Sequence, residues 1–284
     1  MGFISMADME KAAAAAGIPL WKAIMEEDMK ERSVSMQETM DKMRERYHAM
    51  KQADEDYEQN LKSFSGLSGG DGANMHRFVR EGEAVSGGFM GMVVTRALKM
   101  GESNACMKRI VAAPTAGACG VVPAVFLTYE QFYRIPERTM IEGLFMAAGA
   151  GQVIARRASI SGAQGGCQAE IGAAVAMGAA MVSYLRGQTM RQIEYAAEIG
   201  IEHHLGLTCD PVGGYVMIPC IERNAVGVLR AMDAAVLAEG ISDLREHKVS
   251  FDMVVNTMNY TGRKIPIELR ETSLGGLARV VPLK

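Results

Sequence analysis

The chain has 284 residues, 49% hydrophobic and 22% charged, which is the composition of a globular protein with one large domain or two smaller ones. Its net charge of −3 gives no general reason to expect nucleic acid or an anionic membrane as a partner. The 31 glycines, the 23 methionines and the 6% of aromatic residues favour a compact core of closely packed helices.

No secretory signal opens the sequence, and its most membrane-like run, 171–185, is shorter than the roughly 20 residues that a membrane span needs. We therefore expect a cytoplasmic protein without a membrane partner. In that reducing compartment the five cysteines are expected to serve core packing, catalysis or metal binding rather than disulfides.

Residues 1–62 are charged and helical in pattern, and we predict that they form an N-terminal segment separate from a domain over 63–284. Ser35 and Glu38 have the spacing of a capping box, which predicts a helix start. Apolar residues then recur every three or four positions, with Asp54 as the one polar member of the face. They are Met36, Met40, Met43, Tyr47, Met50, Tyr57 and Leu61. We expect this face either to pack on the chain's own core or to dock a partner chain.

From residue 64 onward, loops rich in glycine alternate with apolar helical runs, and no alternating β-branched strand pattern occurs. Helices are predicted over 84–100, 121–132, 139–157, 171–185, 189–203, 223–239 and 250–260. The predicted fold class is mainly α, a compact helical domain with Gly-rich loops between buried helices of small residues.

Three cysteines lie beside glycine or proline in a loop or at a helix start: Cys167, Cys209 and Cys220. Cys167 precedes the apolar run 171–185, and a helix N-terminus favours a thiolate that acts as a nucleophile or a metal ligand. The separations of 42 and 11 residues match neither a ferredoxin nor a zinc finger, so spacing alone leaves simple core packing open. Cys106 and Cys119 have an ordinary apolar context.

Three thiolates without a fourth have a specific chemical meaning. A four-iron cluster held by three cysteines leaves one iron open as a Lewis acid, and zinc with three thiolates and a water is also possible. Elimination of water from a hydroxy acid needs such help, because hydroxide is a poor leaving group.

The Gly-rich loops offer backbone N–H groups and hydroxyls that suit a carboxylate or phosphate, although such loops also serve as tight connections. The candidate substrate-binding residues are Ser68, Gly69, Asn74, Thr115, Gly117 and Ser161. His76 and His204 are candidate catalytic proton carriers, and the alternative for each is a helix-end histidine bonded to backbone carbonyls.

Five blocks of sequence carry a resemblance to a known family. They are SGGDGANMH at 68–76, APTAGACG at 113–120, SGAQGGCQAE at 161–170, HHLGLTCDPVGG at 203–214 and NYTGRKIPIELRETSLGGL at 259–277. In this order they resemble the alpha chain of the bacterial iron–sulfur-dependent L-serine dehydratases.

The resemblance implies an all-helical catalytic domain over 63–284 that binds a [4Fe-4S] cluster through Cys167, Cys209 and Cys220. It implies conversion of L-serine to pyruvate and ammonia, with His76 or His204 as the base. It also implies a separate beta chain with a regulatory module, and an oligomer. No cysteine follows Cys220, so no C-terminal thiol of this chain is expected to cap the open iron.

Other functions stay open. L-cysteine desulfidase chemistry could use the same type of cluster, and a non-catalytic zinc- or cluster-binding subunit could hold a partner through residues 1–62. A pyridoxal-phosphate dehydratase is disfavoured, because Lys99 and Lys108 have no phosphate loop beside them.

Overall fold

In the two ranges that the computed structural model describes, 2–241 and 248–281, the chain consists of helices and loops without a β-strand. The α-helices are α1 (Met6–Ala16), α2 (Leu20–Arg32), α3 (Met36–Glu55), α4 (Asp71–Arg80), α5 (Gly87–Ala105), α6 (Val121–Tyr133), α7 (Glu137–Arg157), α8 (Gly162–Gly165), α9 (Ala173–Leu185), α10 (Met190–Glu202), α11 (Cys220–Ile241), α12 (Phe251–Lys264) and α13 (Leu277–Val280). A π-helical turn, Gln168–Gly172, leads into α9. The mainly α prediction is confirmed.

Local hydrogen bonds fix two of the predicted helix starts. At α3 the Ser35 hydroxyl accepts from the Glu38 N–H while the Glu38 carboxylate accepts from the Ser35 N–H. Thr189 and Gln192 make the same reciprocal pair at α10. Each pair satisfies N–H groups that a helix terminus leaves unbonded, so these boundaries follow from the local sequence.

The core is built around α9, which packs against α6, α7, α10 and α11. Every residue from Ala173 to Ser183 is buried. A methyl group on Gly200 would lie 3.1 Å from the Cα of Ala176, so α10 and α9 touch backbone to backbone. Small residues thus allow the close helix packing that the composition favours.

Helices α1 to α3 bury side chains in the same core. Tyr47 is 2% exposed, packs edge-on against Phe126 and donates a 2.5 Å hydrogen bond to Glu130. Helix α3 ends at Glu55, so the predicted continuation of its apolar face to Leu61 is wrong. The division of the chain at residue 62 remains a prediction.

None of the described helices combines the length and the apolar character that crossing a lipid bilayer requires.

Candidate metal centre

The loop that carries Cys167 lies directly beside the loop that carries Cys209. Gly166 has φ 73°, and a methyl group there would come within 2.7 Å of the Leu207 carbonyl oxygen, so only glycine fits. The N–H of Gln168 then donates a 3.1 Å hydrogen bond to that same carbonyl. Two segments some 40 residues apart in sequence are thereby joined.

Cys167, Glu170 and Cys209 form a tight buried group. One side-chain ligand atom from each of the three residues lies within 4.8 Å of the other two. The neighbouring Cys209 lowers the pKa of Cys167, and the neighbouring Cys167 raises the pKa of Cys209. Sulfur and carboxylate donors at this spacing are the usual protein ligands of a transition metal.

Cys220, the first residue of α11, is not a member of this tight group within the described part of the chain, but it is near enough to feel the charges of Cys167 and Glu170. Burial raises the pKa of its thiol, and the negative charges of Cys167 and Glu170 raise it further. The structure therefore brings the three cysteines singled out by sequence into one region, with Cys220 the outermost.

Arg223 supplies the positive charge of the site. Its guanidinium donates to the Thr208 carbonyl at 2.7 Å and to Asp210 Oδ1 at 3.0 Å, and it also hydrogen-bonds the Cys167 sulfur. This contact lowers the pKa of Cys167 further, after the larger effect of Cys209. Arg223 was not among the residues predicted from the sequence, although its position three residues after Cys220 places it one helical turn along.

The C-terminal segment contacts the loop that carries Cys209. The N–H of Cys209 donates to the Leu269 carbonyl at 2.8 Å, and the N–H of Leu277 donates to Asp210 Oδ2 at 2.7 Å. The Cys209 loop is therefore fixed by backbone as well as by Arg223.

Glu170 is the second residue that the sequence analysis missed. Thr115 donates a 2.7 Å hydrogen bond to its Oε1, and methyl groups on Gly117 or Gly162 would lie 3.1 or 2.8 Å from its carboxylate oxygens. Burial raises the pKa of Glu170, whereas the Thr115 bond lowers it and the charge of Glu271 raises it. The feature of the sequence that could have identified Glu170 is its position three residues after Cys167.

Three of the six candidate binding residues surround Glu170. Thr115 bonds to it, Gly117 leaves room for it, and Ser161 directly precedes Gly162. Asn224 joins this loop to the start of α11, because its amide donates to the carbonyls of Gly117 and Cys220.

The other three candidates belong to the start of α4. The Ser68 hydroxyl is buried and has no hydrogen-bond partner among the described residues, Gly69 has φ 128°, and Asn74 accepts from Arg77. Their loop is tied to the segment before Cys220, because the Ser65 hydroxyl contacts the Met217 sulfur at 3.0 Å.

The two candidate histidines lie in different places, and neither belongs to the tight group. His76 lines an open cavity of about 850 Å³ with Lys99 and Arg80, and burial and these two cations lower its pKa. His204 is buried against Gly172 of the π-helical turn, with Nδ1 2.8 Å from the Gly200 carbonyl. Burial lowers the pKa of His204 as well.

Fold and site together define an α-helical protein with a buried thiol and carboxylate group suited to metal binding. Residues 15–278 match the family described as serine dehydratase alpha chain, and the chain belongs to that family. The resemblance expected from the five sequence blocks is thereby confirmed.

Proteins of similar sequence are named L-serine dehydratases. The chain is similar to a probable L-serine dehydratase alpha chain of Bacillus subtilis, with 41% identity over 78% of this chain and 72% of the relative. It is 49% identical to L-serine dehydratase 1 of Escherichia coli over 64% of this chain, and 46% identical to an L-serine dehydratase of Helicobacter pylori over 63%. These two matches cover only 40% of each relative.

Proposed function

We propose that this chain is the catalytic alpha subunit of an L-serine dehydratase that holds a [4Fe-4S] cluster through Cys167, Cys209 and Cys220. The reaction removes the Cα proton and the β-hydroxyl of L-serine, and hydrolysis of the product gives pyruvate and ammonia. The observation that carries this proposal is the convergence of buried thiols from separate segments beside Glu170 and Arg223.

The chemistry of the donor set fits a cluster. Burial and neighbouring negative charge raise the pKa of Cys209 and Cys220, so these groups stay protonated unless a cation compensates them. Metal coordination deprotonates a thiol outright and supplies that cation. Arg223 neutralises one thiolate only, and three thiols on three rigid segments therefore support a resident metal group.

When bound, such a cluster supplies a Lewis-acidic iron that favours departure of a hydroxyl group. The chain's own residues have the tasks of binding and proton transfer. The hydroxyl of Ser161 and the backbone near Gly117 would hold the substrate carboxylate, while the single hydroxyl proton of Thr115 is donated to Glu170. Ser68, Gly69 and Asn74 would approach from the α4 side.

His204 is the better supported of the two candidate bases. If Nδ1 donates to the Gly200 carbonyl, Nε2 carries no proton and can accept one. Burial keeps the ring neutral at neutral pH, and the ring lies against the turn that carries Glu170. His76 faces two cations across an open cavity, and it is retained as the alternative base.

A separate beta chain is part of this proposal. The Bacillus subtilis relative is named an alpha chain, and the chain matches only 40% of the length of the Escherichia coli relative. We propose a partner chain with a regulatory role, in a cytoplasmic oligomer.

Anaerobic purification with iron and sulfide quantification and a visible spectrum tests the proposal. The expected result is equal iron and sulfide with broad visible absorption, and pyruvate formation from L-serine when the beta chain is added. Zinc in place of iron and sulfide would contradict it. Sulfide release from L-cysteine without pyruvate from L-serine would favour a desulfidase instead.

A further inference from the structure

Glu170 lies where a ligand of the metal group would lie, although the proposed cluster needs only the three cysteines. Cys167 directly precedes the π-helical turn and Glu170 lies within it, and the structure brings their side-chain ligand atoms together. The carboxylate reaches within 4.8 Å of the sulfurs of Cys167 and Cys209, and the residue is 8% exposed.

The surroundings of Glu170 are built to hold its carboxylate in this place. Thr115 bonds only to Oε1, and no hydrogen bond within the described ranges occupies Oε2. A methyl group on Gly162 would lie 2.8 Å from Oε2 and force the carboxylate to shift, and a methyl group on Gly117 would press on both oxygens at 3.1 Å. One oxygen is thus fixed by a hydroxyl, and the other is left for a ligand.

The charges around Glu170 also favour a role for it as a metal ligand. Glu170 adds a negative group to a site that already holds three thiols, and Glu271 lies close by with a second carboxylate. Arg223 is the cation that contacts the group, and its contacts are with Cys167, Thr208 and Asp210. A buried carboxyl group in this setting stays protonated unless a cation compensates its charge, and a bound metal would be such a cation.

We propose that Glu170 is a fourth protein ligand of the metal group in the substrate-free protein, and that L-serine displaces it. This inference rests on the proposed function. An oxygen donor suits the position because a carboxylate is harder than thiolate and binds iron–sulfur iron less firmly, so it can be exchanged for substrate. The remaining cysteines do not compete for the position, because Cys119 donates to the Met100 carbonyl and Cys106 lies in the Tyr57 region.

The direct test uses the wild-type chain, made by cell-free synthesis with glutamate carrying ¹³C in the side-chain carboxyl, reconstituted with iron and sulfide and reduced. Electron-nuclear double resonance should show a ¹³C coupling to the cluster, which disappears when L-serine is added. Persistence of the coupling with L-serine, or its absence from a fully loaded cluster, would overturn the inference.

A variant pair gives a second readout that does not depend on activity. Glu170→Gln keeps the shape and the Thr115 hydrogen bond but removes the anionic donor. Glu271→Gln removes a neighbouring carboxylate that is not in the tight group. On exposure to air, Glu170→Gln should convert to the EPR-active three-iron cluster several-fold faster than wild type, and Glu271→Gln should match wild type.

The two proposals fail in different ways. A wild-type chain without iron and sulfide contradicts the cluster itself. A loaded wild-type cluster, together with equal rates of air conversion in wild type and Glu170→Gln, leaves the cluster intact and removes only the role of Glu170. If Glu170→Gln does not fold, as judged by circular dichroism, the ¹³C measurement on wild type decides alone.

Discussion

Two loops of this protein look alike in sequence and differ in chemistry. The loops 113–120 and 161–167 both consist of small residues and carry a cysteine next to an apolar helix. Cys119 donates to the Met100 carbonyl at 3.6 Å, and burial raises its pKa to about 12. Cys167 meets Cys209 and Arg223, and its pKa is lowered.

The difference shows that a Gly-rich loop at a helix start does not by itself activate a thiol. Burial in apolar surroundings favours the neutral form, whereas a thiol donor and a guanidinium from other segments favour the thiolate. The first loop still serves the site, because its Thr115 hydroxyl holds Glu170.

The largest difference is expected between substitution of a cysteine in the tight group and substitution of a cysteine buried in the apolar core. Cys209→Ser should lose the bound metal and at least about 100-fold in activity, since it removes a donor of the tight group. Cys119→Ala should keep the metal and lose only about 1–2 kcal/mol of stability, through a small cavity. Metal analysis and thermal denaturation distinguish the two, and metal loss in Cys119→Ala would break the comparison.

The next largest effect is expected from removal of the Arg223 guanidinium. Arg223→Leu leaves Asp210 buried without its ion pair, and a loss of about 3–5 kcal/mol in the free energy of unfolding is expected. Denaturant titration of the metal-free chain measures it.

An exposed ion pair provides the control. Arg44→Gln breaks a pair with Glu137 in which both side chains are about 40% exposed, and it should cost about 1 kcal/mol or less. Equal costs for the two substitutions would mean that Arg223 is not a buried counter-charge.

A glycine behind the Cys167 loop gives a smaller, geometric test. In Gly262→Ala the new methyl would lie 3.0 Å from Gln168 Nε2 and 3.1 Å from the Gly165 Cα, so α12 must shift away from the loop. We expect a loss of about 1–3 kcal/mol and weaker metal binding.

Gly88→Ala is the matched control, since a methyl group there meets nothing within 4 Å. It should be neutral or stabilising by about 0.5 kcal/mol, because alanine restricts the unfolded chain. Unchanged metal affinity in Gly262→Ala would show that the Cys167 loop tolerates displacement.

The last comparison concerns a buried acid outside the site. Burial and the neighbouring charges of Glu202 and Glu194 raise the pKa of Glu198 from 4.5 to about 8. Because the folded state binds this proton more tightly, its stabilising contribution is full below pH 4.5 and is lost as the pH rises to about 8.

Glu198→Gln removes this titration. Its unfolding free energy should fall less than that of wild type across the interval from pH 4.5 to 8, and the two stability curves should differ most at the upper end. Parallel stability curves for the two proteins would show that Glu198 does not titrate in this range.

Much of the local structure was predictable. The capping boxes at Ser35 and Thr189 and the buried run that forms α9 depend on residues three or four apart, and the sequence carries that information directly. The extent of α3 was not predictable, because Tyr57 leaves the helical face to donate a hydrogen bond to Glu102, 45 residues away.

The sequence by itself determined the helical class and the family and singled out the three cysteines, since periodicity, caps and short motifs are properties of short segments. Only the tertiary structure decided that Glu170 and Arg223 share the site and that His204, rather than His76, lies against the turn that carries Glu170. Those placements depend on contacts between segments that are distant in the sequence, such as Gly166 against Leu207. Such contacts form only when the helices pack together, so short segments of sequence do not specify them.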